Sequence, residues 1–123
     1  MELSQRKAMI LCVEKEKNLE VNFLYVTTET LQEAQLISRA AVKQGLAACA
    51  NILGEIDSIY LWDGELRENK ETAFFLKTSN RRLNKLIDLI KKLHSYECPC
   101  ILVNNIVGGN KNFLNWIDQQ TKF

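Results

Sequence analysis

The stretch IDSIYLW at 56–62, with Asp63-Gly64 directly after it, decides the fold. Asp-Gly favours a two-residue hairpin turn, because both residues accept the positive φ angles of a type I′ turn. The residues before the turn are largely β-branched or aromatic and favour a strand. We therefore predict a β-hairpin whose second strand starts at Glu65, is interrupted by the polar residues 67–70 and resumes over 71–78. The hairpin is then either long or bulged.

A strand and a helix are predicted before the hairpin. Residues 22–28, NFLYVTT, favour a strand, and Thr30 with Glu33 forms a capping box in which each side chain satisfies a backbone N–H of the other residue. The apolar spacing that follows predicts a helix over 30–44. Gly45 suits the left-handed position that closes such a helix.

The elements on either side of the hairpin complete the pattern. LAACANI at 46–52 predicts a short strand or bend that Gly54 breaks, and Ser79 is predicted to cap a second helix. Because Pro99 cannot donate a backbone hydrogen bond, the last strand must begin at Pro99 or place it on an edge, and we predict this strand over CILVNNIV at 100–107. Two apolar helix faces are expected, one of Leu83, Leu86, Ile87, Ile90 and Leu93, and one on a short terminal helix of Phe113, Leu114, Trp116 and Ile117.

This order predicts an α+β fold, the ferredoxin-like βαββαβ arrangement with a C-terminal helix, in which two helices cover one face of an antiparallel sheet. The other face is left without a helix. Tyr60, Trp62 and either Phe74 or Phe75 place aromatic surface there. Because an exposed apolar patch usually marks an assembly interface, we expect a homo-oligomer.

The overall composition excludes several classes of protein. The chain has 123 residues, of which 46% are hydrophobic and 25% charged, as in one soluble globular domain. A net charge of +1 gives no broad basic surface for nucleic acid, and no stretch approaches the roughly 20 apolar residues of a membrane helix. The N-terminal stretch 1–20 lacks a signal-peptide pattern, so we expect a cytosolic protein with a charged N-terminal arm. Its four cysteines are then expected to be free thiols.

The stretch LHSYECPC at 93–100 holds the single histidine, the single proline and two of the four cysteines. One interpretation is a soft-metal site of His94, Cys98 and Cys100, since imidazole and thiolate suit Cu(I) or Zn(II). The other is that His94 ends a helix while the cysteines pack as small apolar residues. The spacing alone leaves both open.

Five motifs in sequence resemble those of the CutA family, which is named for divalent-cation tolerance. They are LAACANI at 46–52, SIYLWDGEL at 58–66, LKTS at 76–79, LHSYECP at 93–99 and NFLNWI at 112–117. The resemblance runs from about residue 22 to 121. It divides the chain into the arm at 1–20 and a single CutA-like domain at 21–123.

The resemblance implies a homotrimer in which strands of adjacent subunits continue one another's sheets, and an association with copper or another divalent cation. It places a metal ligand at His94 and at Cys100, where the family carries an acidic residue. A cysteine that some members offer on the first strand is replaced by Val26. The family also resembles the PII signalling proteins, so a trimeric sensor that binds a small anion or a partner protein is the rival function.

Several other residues are candidates for the interface or for a cleft between subunits: Tyr60, Trp62, Lys77, Tyr96 and Trp116. The aromatic ones favour the interface, and Lys77 at a strand end is a candidate for neutralising an anion. Enzymatic function is not expected, because the chain has no Gly-rich phosphate loop, G-x-S-x-G elbow or H-E-x-x-H motif. No organic cofactor is implied.

Overall fold

A computed structural model describes residues 20–122. Within them, four strands and three α-helices follow in the order β1 (Val21–Thr28), α1 (Leu31–Lys43), β2 (Cys49–Trp62), β3 (Glu65–Ser79), α2 (Leu83–Leu93), β4 (Ile101–Asn105) and α3 (Lys111–Gln120). The sheet has the order β2-β3-β1-β4, and every pair is antiparallel. The predicted ferredoxin-like α+β fold is confirmed. The predicted N-terminal arm lies outside the described residues except for Glu20, and Cys12 lies outside them too.

The core lies between the sheet and the two helices α1 and α2. Strands β1 and β3 present alternate residues to it, because side chains of a strand point to opposite faces in turn. Both helices contribute an apolar stripe, as predicted. The buried residues are Leu24, Val26, Phe74 and Leu76 from the strands, Ala34, Ile37 and Ala41 from α1, and Leu86 and Ile90 from α2.

The ends of α1 follow its sequence closely. The Thr30 side chain accepts a hydrogen bond from the backbone N–H of Glu33 at 3.2 Å, and Gly45 has a φ of 70°. The N–H of Leu46 donates to the carbonyl of Ala41 at 2.9 Å, which closes the helix in a Schellman motif. Only half of the predicted capping box forms, because the Glu33 carboxylate binds Ser95 instead.

The hairpin is longer and more continuous than predicted. Asp63 and Gly64 have φ angles of 51° and 77°, as a type I′ turn requires. The polar residues 67–70 do not interrupt β3, and Gly54 does not break β2. Instead the pairing register shifts between Ile52 and Gly54. This shift is a β-bulge, and β2 continues across it as a single strand of 14 residues.

Residues 56–71 therefore form a two-stranded extension of the sheet, called the arm from here on and distinct from the N-terminal arm at 1–20. Strand β1 pairs with β3 only from Thr72 to Ser79, so the outer part of β3 has β2 as its single partner. Apolar side chains of the arm stay in solvent: Ile59, Leu61, Trp62 and Leu66 are 62–70% exposed.

Two predictions about the later elements were wrong in detail. Ser79 makes no capping hydrogen bond; a 3₁₀ turn at Asn80–Arg82 precedes α2, and the Ser79 hydroxyl accepts from that of Thr121 at 2.8 Å. Strand β4 is also shorter than predicted, because its pairing with β1 begins at Ile101 and ends at Asn105. Residues 95–100 consequently lie outside regular structure.

The second face of the sheet carries Phe75, and not Phe74, which is fully buried in the core. The Phe75 ring packs against Phe23 and Tyr25, with centroids 5.2 and 5.8 Å apart. Helix α3 closes one end of this face, since its Leu114 and Ile117 pack with Val21 and Ala48. The apolar face predicted for α3 is divided, because its Phe113 and Trp116 stack on each other and remain about 40% exposed.

Candidate functional site

One face of the arm and the segment after α2 enclose a cleft of about 570 Å³. The alternation of side chains along the two strands puts every second residue of the arm on this face. The segment after α2 supplies the opposite wall. The cleft is lined by Tyr60, Trp62, Arg67, Asn69 and Glu71 from the arm, by Tyr96, Cys98 and Cys100, and by Thr27 at the end of β1.

His94 fixes the start of the opposite wall. It caps α2, and its side chain is fully buried. Nε2 lies 2.8 Å from the carbonyl oxygen of Thr27, and Nδ1 lies 3.0 Å from the backbone nitrogen of Tyr96. A carbonyl can only accept and a backbone N–H can only donate, so these contacts define the tautomer with the proton on Nε2. Both ring nitrogens are therefore used in holding the segment.

Glu33 at the start of α1 holds the next residue. Its carboxylate accepts from the backbone N–H of Ser95 at 2.6 Å and from the Ser95 hydroxyl at 3.0 Å. Hydrogen bonds to a charged acceptor are stronger than neutral ones. The segment is thus tied to two different elements, the end of β1 through His94 and the beginning of α1 through Ser95.

Tyr96 joins this wall to the base of the arm. Its hydroxyl donates to the Glu71 carboxylate at 3.1 Å, and its ring lies 4.9 Å from that of His94. Burial of the phenol, together with the negative charge of Glu71 and the hydrogen bond to it, raises the pKa of Tyr96 from 10.0 to about 12. Tyr96 therefore remains a neutral donor at physiological pH.

The two thiols of this segment are accessible. Cys98 is exposed and Cys100 is half-buried, both are free, and both line the cleft. The structure thus brings together two of the three predicted metal ligands. His94 does not line the cleft; its ring contacts that of Tyr96, which does. Across residues 20–122, no group of three or more His, Cys, Asp or Glu side chains is arranged to hold a metal ion.

The predicted interface or cleft residues fall into two separate groups. Tyr60, Trp62 and Tyr96 share the cleft. Lys77 and Trp116 do not: the Lys77 ammonium donates to the Asn51 side chain at 2.7 Å and lies 5.5 Å from the centroid of the Phe113 ring, which stacks on Trp116. This second group lies beside α3, away from the cleft, although the register puts Lys77 on the same face of β3 as Arg67 and Glu71.

Sequence reasoning missed the polar residues of the arm. Arg67, Asn69 and Glu71 lie on the cleft face, and the side-chain amide of Asn69 donates to the Tyr60 hydroxyl. Their alternate spacing in RENKE was a signal for one strand face. That signal is hidden because the run 67–70 is polar on both faces, which favours an interruption of the strand.

Known proteins match this chain over nearly all of the residues that the structure describes. The family model described as CutA1 divalent ion tolerance protein matches residues 22–120. The divalent-cation tolerance protein CutA of Archaeoglobus fulgidus is 39% identical over 98 residues, which are 80% of this chain and 95% of that protein.

Solved structures give the same result. The crystal structure of divalent ion tolerance protein CutA1 from Ehrlichia chaffeensis has a TM-score of 0.80 and 34% identity, covering 84% of this chain and 96% of that one. The structure from Archaeoglobus fulgidus, described as a periplasmic divalent cation tolerance protein, has a TM-score of 0.78 and 38% identity, covering 82% and 98%. As for a membrane, no helix within residues 20–122 is long and apolar enough to cross one.

Proposed function

Because this chain belongs to the CutA1 divalent ion tolerance family, we propose that it takes part in metal-ion tolerance by binding a soft metal ion, copper above all, in the cleft. The observation that carries this proposal is the pair of free thiols, Cys98 and Cys100, on one wall. Thiolates are the ligands that soft ions such as Cu(I) prefer. The role is one of binding and not of catalysis.

The donor set supports a softer ion than a carboxylate site would. One chain offers the two cysteine sulfurs, with the Glu71 carboxylate on the facing wall. Cu(I) accepts few ligands, so two thiolates are enough for it, whereas a tetrahedral Zn(II) site needs four ligands. His94 is the predicted third ligand. To reach an ion it has to release its hydrogen bond with Thr27 or with Tyr96.

We also propose that the chain works as a homotrimer. The support is the arm, whose apolar residues are left in solvent, together with the two edge strands β2 and β4. Edge strands with free N–H and C=O groups pair readily with another chain. A cytosolic location remains a prediction from the sequence.

The rival function, a PII-like sensor of a small anion, has no support of its own among the described residues. Its candidate cation, Lys77, is bound to Asn51 and lies over Phe113, away from the cleft. The cleft itself holds Arg67 but also Glu71, so its polar groups do not favour an anion.

Calorimetric titration tests the proposal. Under anaerobic, reducing conditions, Cu(I) should bind the wild-type protein saturably and Zn(II) more weakly. The double variant Cys98→Ser/Cys100→Ser should lose the Cu(I) site, while Cys49→Ser, which removes a half-buried thiol outside the cleft, should keep it. Unchanged Cu(I) binding in the double variant would exclude the cleft thiols as ligands.

His94→Ala addresses the third ligand separately. If His94 coordinates the ion, its removal should weaken Cu(I) binding in a protein whose circular dichroism shows the native fold. If the affinity is unchanged, His94 only holds the segment in place through Thr27 and Tyr96. In that case the two cysteines tested by the serine variants are the ligands, and His94 is not one of them.

A further inference from the structure

We propose that Cys98 and Cys100 are also a redox modification site: a reversible dithiol–disulfide pair that a small-molecule disulfide of the glutathione type can oxidise. Both thiols are free and line the same cleft, with only Pro99 between them. The pair needs no metal. Only its consequence for metal binding rests on the function proposed above.

The backbone around the pair is able to bring the two sulfurs together. The ladder of β1 and β4 begins at Ile101, residues 95–98 are bends, and residues 99–100 have no regular structure. Closing a disulfide there breaks no pairing of the sheet. Extended residues two apart have Cα atoms about 6.4–6.8 Å apart, and disulfides favour about 5.5–6 Å. A further bend at Pro99 is sufficient.

The same geometry makes the disulfide a labile one. A ring closed across a single residue is strained, and strain makes a disulfide more easily reduced. The bond is therefore suited to a switch that follows the surrounding thiol–disulfide balance, and not to a permanent cross-link that stabilises the fold.

Accessibility distinguishes this pair from the other described thiol. Cys98 is exposed, so an incoming disulfide can reach it, and Cys100 is half-buried beside it. Cys49 lies within β2 opposite Lys77 and lines a different groove. It has no cysteine next to it in the chain closer than Cys12 or Cys98. Cys49 is consequently not a partner for the pair, and it is removed in the test below.

The reaction balances as two thiol–disulfide exchanges. The Cys98 thiolate attacks one sulfur of oxidised glutathione, whose S–S bond breaks to release one glutathione thiolate and leave a mixed disulfide on Cys98. The Cys100 thiolate then attacks the Cys98 sulfur and releases the second glutathione. Cys98 and Cys100 lose two electrons and two protons, and oxidised glutathione gains them to become two molecules of reduced glutathione.

Oxidation would remove both thiolates from the cleft. Since the thiolate is the form that binds a soft metal ion, the oxidised protein should no longer bind Cu(I) there. Metal binding at the cleft would then respond to the thiol–disulfide balance of the compartment.

The test uses the full chain with Cys12→Ser and Cys49→Ser, so that only the two cleft thiols remain, and with no metal present. The protein is equilibrated in mixtures of reduced and oxidised glutathione, free thiols are alkylated, and the mass of the fragment containing residues 98–100 is measured. We expect a fragment that carries no alkyl group and is lighter by two hydrogens than the unalkylated reduced peptide. Its fraction should rise and fall reversibly with the ratio of oxidised to reduced glutathione. Circular dichroism confirms that the protein is folded.

A matched variant and a dithiol probe complete the test. Adding Cys98→Ser or Cys100→Ser to the same background should leave only a mixed disulfide with glutathione. Phenylarsine oxide, which needs two close thiols for a stable adduct, should bind the parent and neither variant. The proposal is wrong if the parent stays reduced in excess oxidised glutathione, stops at the mixed disulfide, or gives chiefly disulfide-linked copies. Because metal is absent, this result is independent of the Cu(I) titration.

Discussion

Strand β3 passes through two different environments, and the comparison between them explains much of this molecule. From Thr72 to Lys77 it lies between β1 and β2, and Phe74 and Leu76 are completely buried under the helices. From Glu65 to Lys70 every residue is exposed, and Leu66 is 67% accessible to solvent. One half of the strand is completed by its own chain. The other half has a single partner strand, and this chain provides no surface that covers its side chains.

The difference has an energetic meaning. Full burial of a large apolar side chain stabilises a protein by about 1.5–3 kcal/mol. The core half of β3 already has this contribution within one chain, whereas the arm does not. The ion pair of Lys70 with Asp57 cannot replace it, because both side chains are well exposed and such pairs contribute little. The arm should therefore depend on assembly, and the core half should not.

The largest effect is expected from Phe74→Ala in the core half. Phe74 is fully buried between the sheet and the helices, so its truncation removes apolar contact and leaves a cavity. We expect a loss of about 3–5 kcal/mol in the free energy of unfolding. Equilibrium denaturation in guanidinium chloride, at fixed protein concentration, measures it.

Leu66→Ala, in the arm half of the same strand, is the control. Its side chain is mostly in solvent in one subunit, so the change should cost well below 1 kcal/mol when both variants are compared at a protein concentration too low for assembly. If the two substitutions lowered the unfolding free energy equally, burial within the subunit would not explain how the two halves of β3 contribute to stability.

Trp62→Ala should have the next largest effect, on assembly. Trp62 is 62% exposed in one chain, and burying about 100 Å² of its ring against another subunit is worth about 2.5 kcal/mol per subunit. We expect the trimer to dissociate at a protein concentration more than tenfold higher than for wild type. Analytical ultracentrifugation over a dilution series measures this.

Lys77→Ala is the comparison for assembly, because Lys77 has its hydrogen bond and its aromatic contact within its own chain. It should change the dissociation of the trimer less than Trp62→Ala does. Equal effects of the two substitutions would count against the arm as the interface. A wild-type protein that sediments only as a monomer at micromolar concentration would contradict the proposed trimer.

Local signals in the sequence were sufficient for most of the fold. The Asp63-Gly64 turn, the Thr30 cap and the Gly45 closure depend on backbone preferences of individual residues, and all three are present. The sequence was less informative where polarity and structure diverge. Residues 67–70 are a strand without a core to cover, so their side chains carry no apolar alternation that would reveal it.

The candidate site was predictable only in part, because its contacts join residues far apart in the chain. Cys98 and Cys100 were found from the motif, and they share the cleft. The partners of His94 and Ser95, at Thr27 and Glu33, lie more than 60 residues away in sequence. Glu33 had a plausible local partner in the capping box, and the tertiary contact with Ser95 replaced it.

The smallest effect is expected where the two regions meet, from Tyr96→Phe. The Tyr96 hydroxyl donates to Glu71 at the base of the arm. Burial and the Glu71 charge raise its pKa in the folded protein from 10.0 to about 12. A raised pKa means that the protonated phenol stabilises the fold. This contribution is complete below pH 10 and is lost as the pH rises through 12.

The wild-type protein should therefore lose stability between pH 10 and 12 more steeply than Tyr96→Phe does. Every other ionisable group is present in both proteins, so the difference between the two curves isolates Tyr96. Thermal unfolding followed by circular dichroism measures it, with Tyr60→Phe as the control for loss of a cleft hydroxyl. If the Tyr96→Phe and wild-type curves were parallel through this range, the pKa of Tyr96 would not be raised by burial and by Glu71 in the folded protein.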